Sequence, residues 1–298
     1  MLAPVHRPPR RRGLLRPSAL ICAAFAGFTL ALAGAAQATS VSTNWAGYVA
    51  TPSHGTKRFT SVSGAWREPA AICNSPSGET DAAIWVGLGG YSETSPGLEQ
   101  VGTDADCTSS GHPVYDSWFE LLPAEPVNLR LAVHPGDEMD ASVTIANHDV
   151  TLRIRDLTTG RRFSVTRHIK NIDRSSAEWI VEAPSLCPSS QTCDVLKLTD
   201  FGQVSFSAAS AVARGHTGAI SDSHWSATAI ELRQPVTPNA HRRAGASASP
   251  VQPLTLAIPS PSTPLSGAFS VSFAQELHPG PAPGGPPATL PGSSGGAH

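Results

Sequence analysis

The chain has 298 residues, of which 15% are charged, and a formal net charge of −2 at neutral pH. That length holds one large domain or two small ones. The first 38 residues carry five arginines and no acid, so without them the formal charge moves from −2 to −7, which argues against a partner built of phosphate backbones.

Arg7, Arg10, Arg11, Arg12 and Arg16 precede an apolar run from Ala19 to Ala36, and the run ends in Ala36-Gln37-Ala38. A basic start, an apolar middle and an A-x-A exit describe an export signal over 1–38. A membrane span is the competing reading, because about 20 apolar residues cross a bilayer; the small-residue exit favours cleavage. Within the basic part, Arg11-Arg12-Gly13-Leu14-Leu15-Arg16 resembles the twin-arginine translocation signal of bacteria. The expectation is a secreted, extracellular protein with no stable membrane association once the signal is removed.

From about Ser40 to Gln234, short alternating runs are separated by turn residues, and no stretch holds helical periodicity for three turns. This is the pattern of an all-β domain. Val127, Leu129, Leu131 and Val133, the turn Pro135-Gly136-Asp137, and then Val143 and Ile145 predict one hairpin. Val150, Leu152 and Ile154, the turn Thr158-Thr159-Gly160, and then Phe163 and Val165 predict a second, with one buried face and one wet face. So many strands, without helices to cover a parallel sheet, pack best as a β-sandwich of two stacked antiparallel sheets.

After Gln234 the composition shifts to Pro, Ser, Ala and Gly. Residues 235–264 read as a long loop or insertion. Phe269, Val271 and Phe273 restore alternation, so 265–274 reads as a closing strand, and the domain spans 39–274. The remaining segment, 275–298, has almost nothing to bury and reads as a disordered tail.

Cys22 lies in the export signal, leaving Cys73, Cys107, Cys187 and Cys193. Four cysteines in an oxidising compartment read as two disulfides with three connectivities. Cys187 and Cys193 bracket a loop short enough to close locally, which leaves Cys73 to pair with Cys107. Zinc is the rival reading, but no C-x-x-C pair accompanies these cysteines, so no metal is expected.

The common catalytic signatures H-E-x-x-H, G-x-S-x-G, the P-loop and a helix-opening G-x-G-x-x-G are absent. His134, His216 and His224 sit in turn-like contexts and read as surface histidines. What stands out is tryptophan beside acid in strand-like runs: STNWAGYV, AIWVGLGG, GLEQVGTDADC, YDSWFELLP and SSAEWIVE. Large aromatics beside carboxylates are either core edges or the lining of a substrate cleft. On a strand, Glu178, Ile180 and Glu182 share one face while Trp179 and Val181 share the other. The bland reading of two outward glutamates is solvent-exposed decoration. Four residues at roughly 3.3 Å put the two glutamates about 13 Å apart, too far for a glycosidase pair at about 5–9.5 Å. A glycosidase would need a second carboxylate, and Asp116 or Glu120 could serve.

Taken together, five blocks resemble the glutamic peptidases, or eqolisins, over roughly residues 42–273. They are Asn44-Trp45-Ala46-Gly47, Trp85-Val86-Gly87-Leu88, Gln100-Val101-Gly102, Tyr115-Asp116-Ser117-Trp118-Phe119-Glu120 and Ala177-Glu178-Trp179-Ile180-Val181-Glu182. The resemblance implies a secreted acid endopeptidase with a β-sandwich fold, acting on protein or peptide substrates without a cofactor. It makes Glu182 the catalytic carboxylate and Gln100 the catalytic glutamine, with Glu178 a neighbour. Trp45, Trp85, Asp116, Trp118 and Glu120 then fall around the cleft in supporting roles. Gly89-Gly90 departs from the acidic residue that fungal members commonly carry after Trp-Val-Gly, and no prosegment fits between Ala38 and Asn44. Monomer is the expected state. A β-sandwich that binds peptide or glycan through a tryptophan-lined face, without catalysis, is the alternative.

Overall fold

The computed structural model describes residues 38–53, 58–74, 78–92, 94–189, 192–235, 253–263 and 266–274. The expected export signal, except its last residue Ala38, and the C-terminal tail lie outside these residues. Among the described residues no helix is long and apolar enough to cross a membrane.

The first strands are β1 (Ala38–Ser42), β2 (Trp45–Pro52), β3 (Phe59–Arg67), β4 (Ala83–Gly89), β5 (Leu98–Cys107) and β6 (Pro113–Leu121). Next come β7 (Val127–Asn128), β8 (Glu138–Ala146), β9 (Asp149–Asp156), β10 (Arg162–His168), β11 (Ala177–Glu182), β12 (Ser185–Ser189) and β13 (Thr192–Val195). The chain closes with β14 (Gln203–Ala213), β15 (His216–Ala219), β16 (Trp225–Gln234), β17 (Leu254–Pro259) and β18 (Phe269–Phe273). One ladder runs β10-β9-β8-β3-β14-β18-β17-β16-β2-β11-β4-β5-β6-β7, with β1 beside β16 and β15 beside β14, while β12 and β13 form a separate hairpin.

This ladder folds back on itself into the two layers of a β-sandwich. Strands β3, β8 and β9 lie against β4 and β5 without being hydrogen-bonded to them. Between the layers sits a core that includes Val62, Trp66, Val86, Val101, Met139, Leu152, Ile154, Trp179 and Val181. Period-two alternation delivers these residues to one face of each strand. Trp179 ties the layers together, its indole N–H donating to the carbonyl of Ser63 on β3 at 2.8 Å.

The hairpin of β9 and β10 forms as its sequence predicts, with Leu152 opposite Val165 and Ile154 opposite Phe163. The hairpin predicted from 127–133 does not. Only Val127–Asn128 pairs, and it pairs with β6, while β8 pairs with β3 and β9. Leu131 and Val133 are still buried. Their segment is held by Ser117, whose hydroxyl donates to the Leu131 carbonyl at 2.8 Å and whose carbonyl accepts the Leu129 N–H. Alternation there records burial of an extended chain rather than a ladder.

A second difference concerns 235–264, read as loop or insertion. Residues 254–259 form β17, which fills the position between β16 and β18. Tyr48 of β2 anchors the following turn, its hydroxyl donating to the carbonyl of Ser260 at 2.9 Å and accepting from the N–H of Ser262 at 3.1 Å. Leu254, Leu256 and Ile258 do alternate, but flanking prolines disguise them. Phe269–Phe273 is the closing strand, paired with β14 and β17.

Cys73 and Cys107 form a disulfide. Cys193 is also disulfide-bonded; the side chain of Cys187, its expected partner, lies outside the described residues.

Candidate active site

Strand register sorts the candidate residues into three cross-strand rows on the outer face of one layer. The first row is Trp45, Glu182, Ala83, Asp104 and Asp116 on β2, β11, β4, β5 and β6. In the same strand order the second is Gly47, Ile180, Trp85, Gly102 and Trp118, and the third is Val49, Glu178, Gly87, Gln100 and Glu120. The floor of this face is an apolar cluster of Val49, Ala83, Trp85, Leu98, Trp118, Ile180 and Ile230, with Trp45 packed on it.

Glu182 and Gln100 therefore stand on a diagonal, two strands and two rows apart, and the midpoint of that diagonal is Trp85. The indole runs along it. Its Nε1 donates to Oε2 of Glu182 at 2.9 Å. Its far edge, Cζ3, lies 2.9 Å from the point where a Cβ on Gly87 would stand, and Cβ of Gln100 lies 3.2 Å from the same point. Any side chain at position 87 would displace the ring. Gly102, beside it, leaves room for Trp85 in the same way, since a Cβ there would come 2.3 Å from the Ile84 carbonyl oxygen and 2.6 Å from Cβ of Trp85.

Glu182 is partly buried and receives donors at both carboxylate oxygens. Asn44 Nδ2 donates to Oε1 at 2.9 Å, opposite the Trp85 bond to Oε2. Trp45 packs edge-on against Trp85, with ring centroids 5.1 Å apart. Its N–H favours the charged form of the Glu182 carboxyl but falls short of a well-formed hydrogen bond. Burial pushes the Glu182 carboxyl up to about 7; the donors from Trp45, Trp85 and Asn44 oppose the rise, and the charge of Glu120 adds to it. Both oxygens facing N–H groups is the hydrogen-bond pattern of an ionised, acceptor-only carboxylate.

Gln100 is buried, and its Nε2 donates to Oε2 of Glu120 at 2.5 Å. Its carbonyl oxygen is buried without a partner. A buried acceptor left open calls for an explanation. Burial raises the Glu120 carboxyl, and the Gln100 bond moderates the rise.

The remaining candidates fall into three environments. Trp118 joins the floor and donates to Oδ1 of Asp104 at 2.7 Å, while Asp116 stands exposed at the end of the first row. Glu178 shares the outward parity of Glu182 but is fully buried, and both of its carboxylate oxygens lack a partner. Burial holds its carboxyl well above the ordinary range; Ser176 beside it moderates this without a well-formed bond. Glu178 is therefore a buried neighbour rather than exposed decoration.

The Gly89-Gly90 departure also has a structural reading. Gly89 has φ +85°, and a Cβ there would stand 2.6 Å from Cβ of Asp173. Asp173 occupies that space from the loop before β11. It accepts hydrogen bonds from Ser95 Oγ at 2.5 Å and from Ser175 Oγ at 2.9 Å. A carboxylate is present at this end of β4, supplied by another segment.

Sequence reasoning passed over Asn44 and Asp104 as site residues. Asn44 was visible as the neighbour of Trp45, but only the pairing of Trp45 with Glu182 brings its amide to the carboxylate.

The model for the Peptidase A4 family matches residues 43–245. Scytalido-glutamic peptidase, solved with a peptide-based transition state analog, is similar at 22% identity and TM-score 0.59, covering 79% of this chain and 100% of that one. SCP-B, described as a member of the eqolisin family and solved with the tripeptide Ala-Ile-His, is similar at 23% identity and TM-score 0.58, with 79% and 100% covered. No curated protein matches the chain significantly. These structures share its fold, and the family match extends from one residue before Asn44 past Glu182. The chain belongs to the Peptidase A4 family, the eqolisin or glutamic peptidases.

Proposed function

We propose that this glutamic endopeptidase hydrolyses peptide bonds by direct attack of a water activated by Glu182, with Gln100 stabilising the oxyanion. The observation that carries the reading is the Trp85 diagonal, which sets a carboxylate and a carboxamide at the two ends of one indole. A peptide laid across the indole has its scissile carbonyl between them. Glu182 takes a proton from the attacking water and passes it to the leaving amine. The Gln100 amide donates to the developing oxyanion, and its unpartnered carbonyl oxygen orients the water. Every donor around Glu182 is an N–H group, a set suited to an anion and hostile to a cation.

A base whose carboxyl stands at about 7 places the rising limb of the pH profile above that of an ordinary glutamate. Because the base must be ionised to act, this limb argues against a strongly acidic optimum and for activity that rises toward neutral pH. Export through the segment 1–38, action outside the cell and a monomeric state complete the proposal, supported by the basic-apolar-AQA pattern of that segment.

The test is digestion of an unfolded protein in water enriched in oxygen-18, across the acid to neutral range, with the products read by mass spectrometry. Internal cleavage, with one heavy oxygen in each new carboxyl group and no transfer of the acyl part to added amines, is expected. Release of terminal residues alone, acyl transfer to the amines, or no cleavage by the folded protein would overturn the reading.

A further inference from the structure

Away from the Glu182 face, the segment from β15 to the start of β16 gathers His216, Asp222 and His224, with one ligand atom of each within 4.8 Å of the others. Nε2 of His216 lies 2.9 Å from Oδ2 of Asp222, and Nδ1 of His224 lies 2.7 Å from Oδ1. Each imidazole thus holds one oxygen of a single carboxylate. The two rings stack with centroids 3.7 Å apart.

The backbone seats this cluster. The N–H of His224 donates to Oδ1 of Asp222 at 2.8 Å, and the N–H of Asp222 donates to the Ala219 carbonyl at 3.0 Å. Trp225 closes the turn, its indole N–H donating to the carbonyl of Ile220 at 2.9 Å. Gly218 leaves the socket: a Cβ there would stand 2.2 Å from Oδ2 of Asp222, so any other residue would evict the carboxylate.

Two imidazole nitrogens and a carboxylate converge at this turn, the mixed nitrogen and oxygen donor set of a transition-metal site. A single divalent cation takes one donor atom from each of the three residues. We propose that His216, Asp222 and His224 bind a divalent transition-metal ion of the zinc and copper class. Imidazole nitrogens select such ions over magnesium or calcium, which prefer all-oxygen sites. Metal–ligand bonds of about 2.0–2.2 Å in a tetrahedral site put ligand atoms about 3.3 Å apart, so each contact here opens by roughly half an ångström on binding. The side chains of His216 and His224 are 37% and 49% exposed, which leaves water free to complete the coordination. The ion pins the β15–β16 turn and takes no part in peptide hydrolysis.

The full chain at about pH 7.5, above the ordinary imidazole pKa of about 6.5, is titrated with zinc and with copper(II) by calorimetry. Copper is also followed by tryptophan fluorescence, because the His216 ring lies 5.9 Å from that of Trp225. Saturable one-to-one binding is expected, with quenching that Trp225→Phe diminishes. His216→Gln, His224→Gln and Asp222→Asn should each weaken binding by about tenfold or more, and only the parent should gain thermal stability from the ion. His224 is half exposed, so its glutamine variant keeps the fold, which circular dichroism verifies. No saturable binding by the parent, or binding undiminished in folded His224→Gln, would overturn the proposal.

Discussion

Trp85 turns a flat strand lattice into a site. Its indole gives one hydrogen bond to Glu182, and its far edge and Cβ of Gln100 both border the open Cβ position of Gly87. Asn44 and Glu120 then act on Glu182 in opposite senses, one by a hydrogen bond that favours the charged form and one by like charge that disfavours it. Asn44→Ala should therefore raise the proton affinity of Glu182 and move the low-pH limb of kcat/KM to higher pH. Glu120→Gln keeps an acceptor for the Gln100 amide, removes the charge, and should move the same limb to lower pH. Rate profiles of the two folded variants beside the parent check both shifts, and limbs that do not move would separate Glu182 from the rate. In the sequence the Glu182 and Gln100 assignments rested on block resemblance. The diagonal was not legible there, because it depends on which residues of β4, β5 and β11 lie opposite one another.

At the level of elements, glycine positions decide how closely strands and loops approach. Gly89 combines a left-handed backbone with a packed Cβ position, so Gly89→Ala meets both strain of about 1–3 kcal/mol and collision with Asp173. Chemical denaturation should show a loss of at least about 1 kcal/mol, and Gly89→Asp should lose more despite restoring an acid at that position; an undiminished midpoint would contradict the packing. The β9–β10 hairpin was legible because a Thr-Thr-Gly turn joined two runs of clean alternation. The hairpin expected from 127–133 failed because alternation reports burial, whereas the ladder partner is set by Ser117. Strand β17 was hidden by its prolines, and nothing local announces its place between β16 and β18.

The molecule as a whole buries an unusual set of acids. Burial pushes Glu68 and Glu99 up to about 8 and Asp106 up to about 7, and holds Asp104 and Glu178 well above the ordinary range. Glu68 accepts from Thr103 at 2.6 Å and from Trp66 at 3.2 Å through one oxygen, leaving the other without a partner. A carboxyl whose folded pKa is raised stabilises the fold fully below its unfolded value of about 4, and that contribution is lost as pH rises through 7–8. Asp156, Asp173 and Asp222 work in the opposite sense, since hydrogen bonds overcome burial to lower each of them. Their contribution is lost only as pH falls through their depressed values, at about 2 for Asp222. Melting temperature should therefore be highest in mild acid and fall as pH rises from about 4 to 8, and Glu68→Gln should flatten that fall. A melting temperature that climbs from pH 5 to 8 would contradict this account. The β-sandwich was legible from turn spacing and alternation, but the buried acids were not, because strand parity places a carboxylate on a face without saying whether that face is covered.

The most direct test of the central claim is the turnover of an unfolded protein substrate by Glu182→Gln at the parent's optimum pH, with circular dichroism verifying the fold. Glutamine is nearly isosteric and still accepts from Asn44, but it cannot take a proton from water. The account predicts a loss of at least about 100-fold in kcat, the lower end for a missing general base. A folded Glu182→Gln protein within a few-fold of the parent would contradict the assignment of Glu182 as the base.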